Sequence, residues 1–326
     1  MKRFVVSLVA IILIVIVIFS VARIRVARSA QLIGIVQFVH HPLLDETHRG
    51  LMSELEKLGL NDGTNFYVET KVADKDVQIS RLITQQFIDE KASLIIAIAT
   101  PSAQTAASIV HDIPVVFAAI TDPIAAGLVD SIEKPGRNLT GTSNLWPFEK
   151  QIELIPEILP FAKIIGVVWN PGEVNSQAAM GYIRPILKSH GYELVEAPVA
   201  NTADVAVAVK NISSKVDAFL MIPDNTTLAA STVFAQIAVE TKTPLIGGDM
   251  DTVRRGSLAT YGYNYFELGQ VTARMVNAIL KEGKQPQDMP VQYPPSTSLI
   301  INRKVSKQMN IELPKEIISE AMEIVD

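Results

Sequence analysis

The chain has 326 residues, of which 48% are hydrophobic and 19% charged. This length suits two α/β domains of ordinary size, and the composition is that of a folded globular protein rather than a disordered chain. Residues 1–30 hold five of the 29 basic residues and none of the 34 acidic ones, so the remainder is net acidic and a nucleic-acid partner is not expected, because phosphate binding relies on clustered Lys and Arg.

The amino-terminal segment has the order of a secretory signal: Lys2 and Arg3, an apolar block from Phe4, and small residues that end at Ala22. The block is long for a signal peptide and arginines follow it, so residues 1–30 are predicted to be a signal peptide or an uncleaved membrane anchor formed by residues 4–22. Both imply export. The sequence has no cysteine, so neither a lipidated amino-terminal Cys nor a disulfide bond is expected.

From Gln31 onward, short apolar segments alternate with helical patterns. In the first half, the predicted strands are 32–39, 65–71, 94–99 and 114–119, and the predicted helices are 43–58, 77–89 and 101–111. The polar segment from Asn138 to Asn144 is predicted to be a strand that crosses to a second lobe. Strands separated by helices in this way favour a parallel sheet with right-handed crossovers.

The second half repeats the same order without a repeat at the level of residues. Its predicted strands are 164–169, 193–197, 218–222, 245–247 and 257–261, and its predicted helices are 149–159, 176–190, 204–212, 227–240 and 266–280. The last of these helices is predicted to return to the first lobe, and residues 291–301 to cross back. We therefore predict an α/β protein with residues 1–30 apart, lobe 1 formed by 31–143 and 262–284, and lobe 2 formed by 144–261 and 285–326.

The stretch from Ile95 to Gln104 combines a buried strand with the start of a helix. Its run of β-branched and small residues suits a strand covered on both faces, and Pro101 suits the first turn of a helix, with Thr100 as the predicted N-cap. Free N–H groups and the positive end of the helix dipole would then lie beside the Ser102 hydroxyl. We expect an anion to bind here.

Further polar side chains follow the other predicted strands, where ligands bind in open α/β sheets. Hydroxyls and free amides at one helix start, facing several carboxylates, suit a zwitterion such as an α-amino acid. Each residue taken alone also fits a turn or a helix cap, and their repeated occurrence at one edge favours a site. The candidate ligand-binding residues are His40, His41, Thr100, Ser102, Thr121, Asp122, Asn170, Glu173, Asp224, Asn225, Asp249 and Tyr261.

No standard catalytic motif is present: the sequence has no Gly-x-Ser-x-Gly, no phosphate-binding glycine loop and no His-Glu-x-x-His. The absence of these motifs does not exclude an enzyme, but it favours a binding protein. The chain is predicted not to be an enzyme, with a hydrolase or racemase that uses Asp and His as the rival. The group His40, His41, Asp45 and His48 matches no standard metal-ligand spacing, so neither a metal nor another cofactor is expected.

Five segments together resemble one bacterial family. They are Ile-Gly-Ile-Val-Gln-Phe-Val-His-His-Pro at 33–42, Ala99 to Gln104, Thr121-Asp122-Pro123, Asp224-Asn225-Thr226 and Asn264 to Gly269. In this order they are similar to the tryptophan/tyrosine-type group of ABC-transporter substrate-binding proteins, from about residue 33 to 311. The resemblance implies the type I periplasmic-binding-protein fold, with two Rossmann-like lobes, parallel sheets and a three-strand hinge.

By this resemblance, the protein captures an amino acid, such as tryptophan, tyrosine or phenylalanine, between its lobes and delivers it to a permease and, through it, to the ATPase. Thr100, Ser102 and the amides after Pro101 correspond to the site for the ligand carboxylate, and Asp224 and Asp249 to candidates for its ammonium. Many relatives carry a lipidated Cys, which is absent here, so a periplasmic protein or one anchored by its first helix is implied. A ligand sensor of a membrane signalling system, or a sugar or nucleoside ligand, remains open.

Overall fold

The computed structural model describes residues 30–248 and 250–326, which form two α/β lobes, each built around one sheet. The predicted fold class is confirmed. The prediction of a signal peptide or anchor falls on residues 1–30, which lie outside the described residues except for Ala30. In the described ranges, no helix is long and apolar enough to cross a membrane.

Twelve strands are assigned among the described residues. In chain order they are β1 Gln31–Gln37, β2 Phe66–Val72, β3 Leu94–Ile98, β4 Val115–Ile120, β5 Leu139–Ser143, β6 Ile164–Trp169, β7 Glu193–Pro198, β8 Ala218–Met221, β9 Leu245–Gly247, β10 Ala259–Tyr263, β11 Thr297–Asn302 and β12 Glu323–Val325.

The described ranges also contain twelve α-helices. In chain order they are α1 Pro42–Lys57, α2 Val77–Asp89, α3 Thr100–Ile109, α4 Phe148–Ile158, α5 Val174–Ser189, α6 Thr202–Ser213, α7 Asn225–Ala229, α8 Ser231–Glu240, α9 Met250–Arg255, α10 Tyr265–Leu280, α11 Arg303–Met309 and α12 Lys315–Glu320.

The first lobe is a five-stranded sheet in the order β2-β1-β3-β4-β5, with every pair parallel. All five residues of the central strand β3 are buried. This explains its continuous apolar sequence, since a parallel strand with helices on both faces has no polar side. The carboxyl ends of β1, β3 and β4 consequently meet at one edge, toward the second lobe.

The second lobe is a seven-stranded sheet in the order β12-β11-β10-β9-β8-β6-β7. Its strands pair in parallel except for β10 and β11, which are antiparallel. The ends of β6 and β8 face the first lobe and lead into α5 and α7. Each lobe therefore presents strand ends and helix starts to the other lobe.

Three connections join the lobes. The chain leaves the first sheet after β5, enters α10 from β10, and returns to the second sheet at β11. Two of these connections lie side by side, because Thr142 forms a parallel bridge with Gln292 and Ser143 N donates to Gln292 O at 2.8 Å. The lobe boundaries derived from the sequence stay predictions.

Helix α10 belongs to the packing of the first lobe although it follows a strand of the second. It packs on α1, and the two backbones approach at Gly50 and Gly269. A Cβ atom at Gly50 would lie 1.9 Å from Phe266 O, and one at Gly269 would lie 2.0 Å from Thr47 O. The contact therefore requires glycine at both positions.

Several local predictions were wrong. Helix α3 has Ala99 as its N-cap, and Thr100 is already its first residue. The helix predicted at 227–240 is two helices, α7 and α8. The sequence patterns gave no prediction for α9, or for α11 and β12 near the carboxyl terminus.

Candidate ligand-binding site

A small cavity lies between the two lobes at the hinge side, and we call it the inner cavity. Its volume is about 10 Å³, which is room for about one water molecule. Both lobes and the hinge contribute to its wall, so its volume increases when the lobes separate. Its lining residues are His41, Leu43, Leu44, Ala99, Thr100, Ala119, Thr121, Asn144, Asn175, Pro223, Asn225 and Leu228.

A much larger opening, the outer cleft, lies between the lobes beside the inner cavity. Its volume is about 1380 Å³, and its wall includes the cations Lys75 and Arg81 and the ring of Phe38 from the first lobe. The second lobe adds Asn170 and Glu173. Adjacent residues connect the two spaces, since Thr100 lines the inner cavity and Pro101 the outer cleft.

Two alanines with unusual backbone angles shape the first-lobe wall of the inner cavity. Ala99, at the end of β3, has φ 77° and ψ 154°, and Ala119, within β4, has φ 58°. Non-glycine residues rarely adopt such conformations, which cost about 1–3 kcal/mol each. At Ala99 the turn starts α3 directly after the strand, which brings the first amides of the helix to the cavity edge.

The same wall carries hydroxyl groups. Thr100 and Thr121 line the inner cavity and are 2% and 3% exposed. First-turn N–H groups of α3 have no acceptor within their own helix. Together these groups make the first-lobe side of the cavity a source of hydrogen-bond donors.

The second-lobe wall is organised by the carboxylate of Glu173. Its Oε1 accepts from Thr226 N at 3.0 Å and Thr226 Oγ1 at 2.6 Å, and its Oε2 accepts from Asn225 N, Asn225 Nδ2 and Asn175 Nδ2 at 2.9, 2.7 and 3.1 Å. These five bonds hold the loop after β8 against the start of α5. Glu173 therefore fixes the orientation of both asparagine side chains.

Asp224 lies behind this wall and is fully buried. Its Oδ1 accepts from Thr227 N at 2.7 Å, which caps α7, and its Oδ2 accepts from Asn170 N at 2.6 Å and Ser176 Oγ at 2.7 Å. Burial first, and then the nearby negative charge of Glu173, raise the pKa of Asp224 to about 6. Its oxygens are thus engaged within the second lobe.

His41 reaches across from the first lobe to this network. Its Nε2 lies 3.3 Å from Asn225 Oδ1. Burial lowers the pKa of His41 to about 4, against the opposing influences of the Asn225 bond and of Asp45. The imidazole is therefore neutral near pH 7.

Two further hydrogen bonds join the lobes. The Tyr182 hydroxyl on α5 of the second lobe donates to Asp122 Oδ2 of the first lobe at 2.8 Å. At the outer cleft, Lys75 Nζ contacts Thr202 Oγ1. Because these side chains connect the lobes and the cavity between them has room for about one water molecule, the lobes are in a closed arrangement.

The structure brings together only some of the candidate residues. His41, Thr100, Thr121 and Asn225 line the inner cavity, and Asn170 and Glu173 line the outer cleft. Asp122 lines neither opening and binds Tyr182 of the second lobe, and Asp224 lies behind the second-lobe wall of the inner cavity. Asp249 lies outside the described residues.

Three candidates point elsewhere. His40 is exposed, and its Nδ1 lies 2.9 Å from Asp45 Oδ1. The Ser102 hydroxyl accepts from Ser80 Oγ at 3.3 Å between α2 and α3, and the Tyr261 hydroxyl donates to a glutamate of α12 at 2.6 Å.

Two polar residues of the inner cavity were not among the candidates from the sequence: Asn144 and Asn175. Asn144 ends the polar segment that was recognised only as a hinge crossing. Asn175 follows the predicted loop residue Glu173 by two positions, so inspection of the first helical turn after each loop could have found it. The described residues contain one possible metal-binding group, the exposed Glu149, Glu153 and His190, which lies away from both openings.

Comparison with known proteins identifies the family. The profile of a family described as ABC transporter substrate binding protein matches residues 32–325. The chain belongs to this family. Proteins of the family work outside the cytoplasm with a small-molecule ligand and a transporter as partners. The predicted family and the predicted role as an ABC substrate-binding protein are thus confirmed.

One relative is a protein named tyrosine-binding protein from Clostridioides difficile strain R20291, which is 36% identical over 286 residues, covering 88% of this chain and 83% of the relative. A solved structure from Streptococcus pneumonia, in complex with L-Trp, is 31% identical with a TM-score of 0.87, covering 91% of this chain and all of that one.

A third relative gives the conformational contrast. The ligand-free, open structure of a substrate-binding protein with adhesive properties from Clostridium difficile is 35% identical, covers 91% of this chain and 99% of that one, and has a TM-score of 0.69. This substrate-binding protein is thus more like the L-Trp complex in shape, although its sequence is more like the open protein. The closed arrangement inferred from the contacts between the lobes agrees with this difference.

Proposed function

We propose that this substrate-binding protein captures an aromatic L-amino acid between its lobes and presents it, chemically unchanged, to an ABC permease. The observation that carries the proposal is the inner cavity, whose wall offers donors from the first lobe and unpartnered acceptors from both lobes and the hinge. A zwitterion satisfies both kinds of group at once. The relatives named tyrosine-binding or crystallised with L-Trp support the aromatic side chain.

Within this proposal, the ligand carboxylate binds to the first lobe. Thr100 and Thr121 supply hydroxyl donors, and the first turn of α3 supplies N–H groups with the positive end of its dipole. Asn225 and His41 close the cavity from opposite lobes. Glu173 and Asp224 act by holding the second-lobe wall in place, since their oxygens already accept hydrogen bonds from it.

Calorimetric titration of the full chain, kept in mild detergent, with each of the twenty amino acids tests this function. We expect tight binding of tyrosine, tryptophan or phenylalanine and a raised melting temperature with the same ligand. Recovery of the bound ligand should return it unaltered, whereas a turnover product would support the rival enzyme. The amino-acid function is refuted if none of the twenty produces heat or stabilisation.

We also propose that the protein is periplasmic or otherwise extracytoplasmic and that residues 4–22 direct its export, as a cleaved signal or as an anchor. Amino-terminal sequencing of the protein recovered from cell envelopes distinguishes the two, since only cleavage removes the segment. A full-length product in the cytoplasmic fraction alone would contradict export.

A further inference from the structure

Three buried atoms on the wall of the inner cavity have no hydrogen-bond partner among the described residues: His41 Nδ1, Asn144 Oδ1 and Asn175 Oδ1. The three residues are only 4%, 5% and 4% exposed. Buried polar atoms are normally hydrogen-bonded, and an unpaired one costs about 1–3 kcal/mol. Three such atoms around one cavity are available to accept hydrogen bonds from a molecule bound in it.

The chemical polarity of Asn175 is fixed by its neighbours. Its Nδ2 donates to Glu173 Oε2 at 3.1 Å and to Pro223 O at 2.8 Å. A carboxylate and a carbonyl can only accept, so turning the amide round would place oxygen against oxygen. The free atom of Asn175 is therefore an acceptor.

The same carboxylate fixes the tautomer of His41. Asn225 Nδ2 donates to Glu173 Oε2 at 2.7 Å, which leaves Asn225 Oδ1 as the acceptor for His41 Nε2. The hydrogen of the neutral imidazole is therefore on Nε2, and Nδ1 has a free lone pair. His41 thus offers a second acceptor from the opposite lobe.

Asn144 offers a third acceptor from the hinge. The Tyr265 hydroxyl accepts from Trp146 Nε1 at 2.7 Å and from Asn144 Nδ2 at 3.0 Å. With the amide nitrogen of Asn144 donating to this hydroxyl, its oxygen is the unpartnered atom of this cavity residue.

We propose that Asn175, His41 and Asn144 recognise the primary ammonium group of the ligand, with one acceptor for each of its three N–H bonds. This inference rests on the proposed amino-acid function and names the residues that read the amino end. An ammonium has three donors and no acceptor, which matches the three lone pairs. Glu173 accepts directly from Asn175 and is connected to His41 through Asn225. Its negative charge offsets the positive charge that the ligand brings into the cavity.

The first test compares ligands on the unmodified full chain. L-Tyrosine is titrated beside 3-(4-hydroxyphenyl)propionate, which has the same ring and carboxylate but no amino group. We expect the deaminated analogue to bind at least about 100-fold more weakly, because it leaves three buried acceptors unpaired. Binding of both compounds within threefold overturns the ammonium site and leaves the amino-acid function standing.

The second test uses Asn175→Leu, which keeps the approximate size of the side chain and removes the acceptor. Binding of L-tyrosine should weaken by about 30-fold, whereas binding of the deaminated analogue should stay the same or tighten, since one unpaired acceptor is gone. A purely structural defect would weaken both ligands equally and would contradict the inference. Asn277→Leu, on the distant part of α10, is the control and should change neither affinity.

A different result identifies failure of the function itself. If tyrosine, tryptophan and phenylalanine all fail to bind the unmodified chain but another amino acid binds, the aromatic ligand is wrong, and the ammonium site is judged on that amino acid and its deaminated analogue. If none of the twenty amino acids binds, both proposals are refuted.

Discussion

His41 is the cavity residue whose charge state responds to pH in a useful range. Burial lowers its pKa from 6.5 to about 4 in the closed protein, and Lys75 acts in the same direction while Asp45 opposes it. When the lobes separate, the ring regains water and its ordinary pKa. The closed state therefore binds fewer protons than the open state between pH 6.5 and 4.

From this difference we expect ligand affinity to fall as the pH is lowered through that window, by up to about tenfold for each pH unit, and to level off below pH 4. Calorimetric titration of L-tyrosine at half-unit steps measures it. His41→Gln should bind less tightly at pH 7 but lose this dependence. An unchanged slope in the variant would assign the dependence to another group, whereas His111→Gln, at an exposed position, should behave as the parent chain.

Asp224 makes its contribution through stability. Replacing it with Ala removes the cap of α7 and leaves the half-buried donor Asn170 N and the buried donor Ser176 Oγ without their acceptor. We expect the free energy of unfolding to fall by about 2–4 kcal/mol, measured by urea denaturation. Asp130→Ala, at an exposed position, is the matched control and should change it by less than about 0.5 kcal/mol.

The raised pKa of Asp224 sets how this effect depends on pH. A carboxyl whose pKa in the folded protein lies above its unfolded value contributes most when protonated, and part of that contribution is lost as the pH rises through about 6. The loss caused by Asp224→Ala should therefore be larger at pH 5 than at pH 8. The reverse order would mean that the buried carboxylate is stabilised as an anion.

At this scale the sequence predicted where polar residues collect but not which of them line the inner cavity. His41, Thr100, Thr121 and Asn225 follow strands at the edge where the lobes meet, and strand ends can be read from a pattern. The direction of a side chain in the first helical turn depends on backbone angles, so Asn175 was missed.

At the scale of elements, the contact between α1 and α10 is the most sensitive to a single atom. A Cβ atom on Gly269 would lie 2.0 Å from Thr47 O and 2.5 Å from Leu51 N, both of them backbone atoms that cannot turn aside. Gly269→Ala should therefore lower the free energy of unfolding by about 1–3 kcal/mol, measured by denaturant titration.

Gly181, on the exposed face of α5, provides the opposite control. A Cβ atom there would have nothing within 4 Å, so Gly181→Ala should raise stability by about 0.5–1 kcal/mol through helix propensity. If both substitutions had the same effect, close packing would not be the reason for glycine at position 269.

Elements were predicted well where periodicity is strong and poorly where the backbone deviates from it. The alternation of apolar runs and helical patterns gave the parallel sheets of both lobes. The N-cap of α3 was misassigned because Thr is a common cap and an alanine at φ 77° is not expected from sequence. The break between α7 and α8 at Ala230 contains neither glycine nor proline, the residues that usually indicate one.

At the scale of the whole molecule, closure depends on contacts that connect residues far apart in the sequence. His41 with Asn225, Lys75 with Thr202, and Asp122 with Tyr182 each join one lobe to the other. The two lobes and the hinge could be predicted, because they follow from the order of strands and helices that the chain shares with its family. Which side chains meet on closure depends on the relative position of the lobes, which no local pattern contains.

Tyr182 gives a direct test of closure because its hydroxyl binds Asp122 of the first lobe and does not line the inner cavity. Tyr182→Phe removes one hydrogen bond of the closed state, so the ligand should dissociate about two- to tenfold faster, whereas association should change little. Stopped-flow fluorescence with L-tyrosine measures both rates. Tyr192→Phe, also in the second lobe and with no side-chain hydrogen bond to the first lobe among the described residues, should leave them unchanged. A slower association with an unchanged dissociation rate would mean that Tyr182 guides entry of the ligand and does not stabilise the closed lobes.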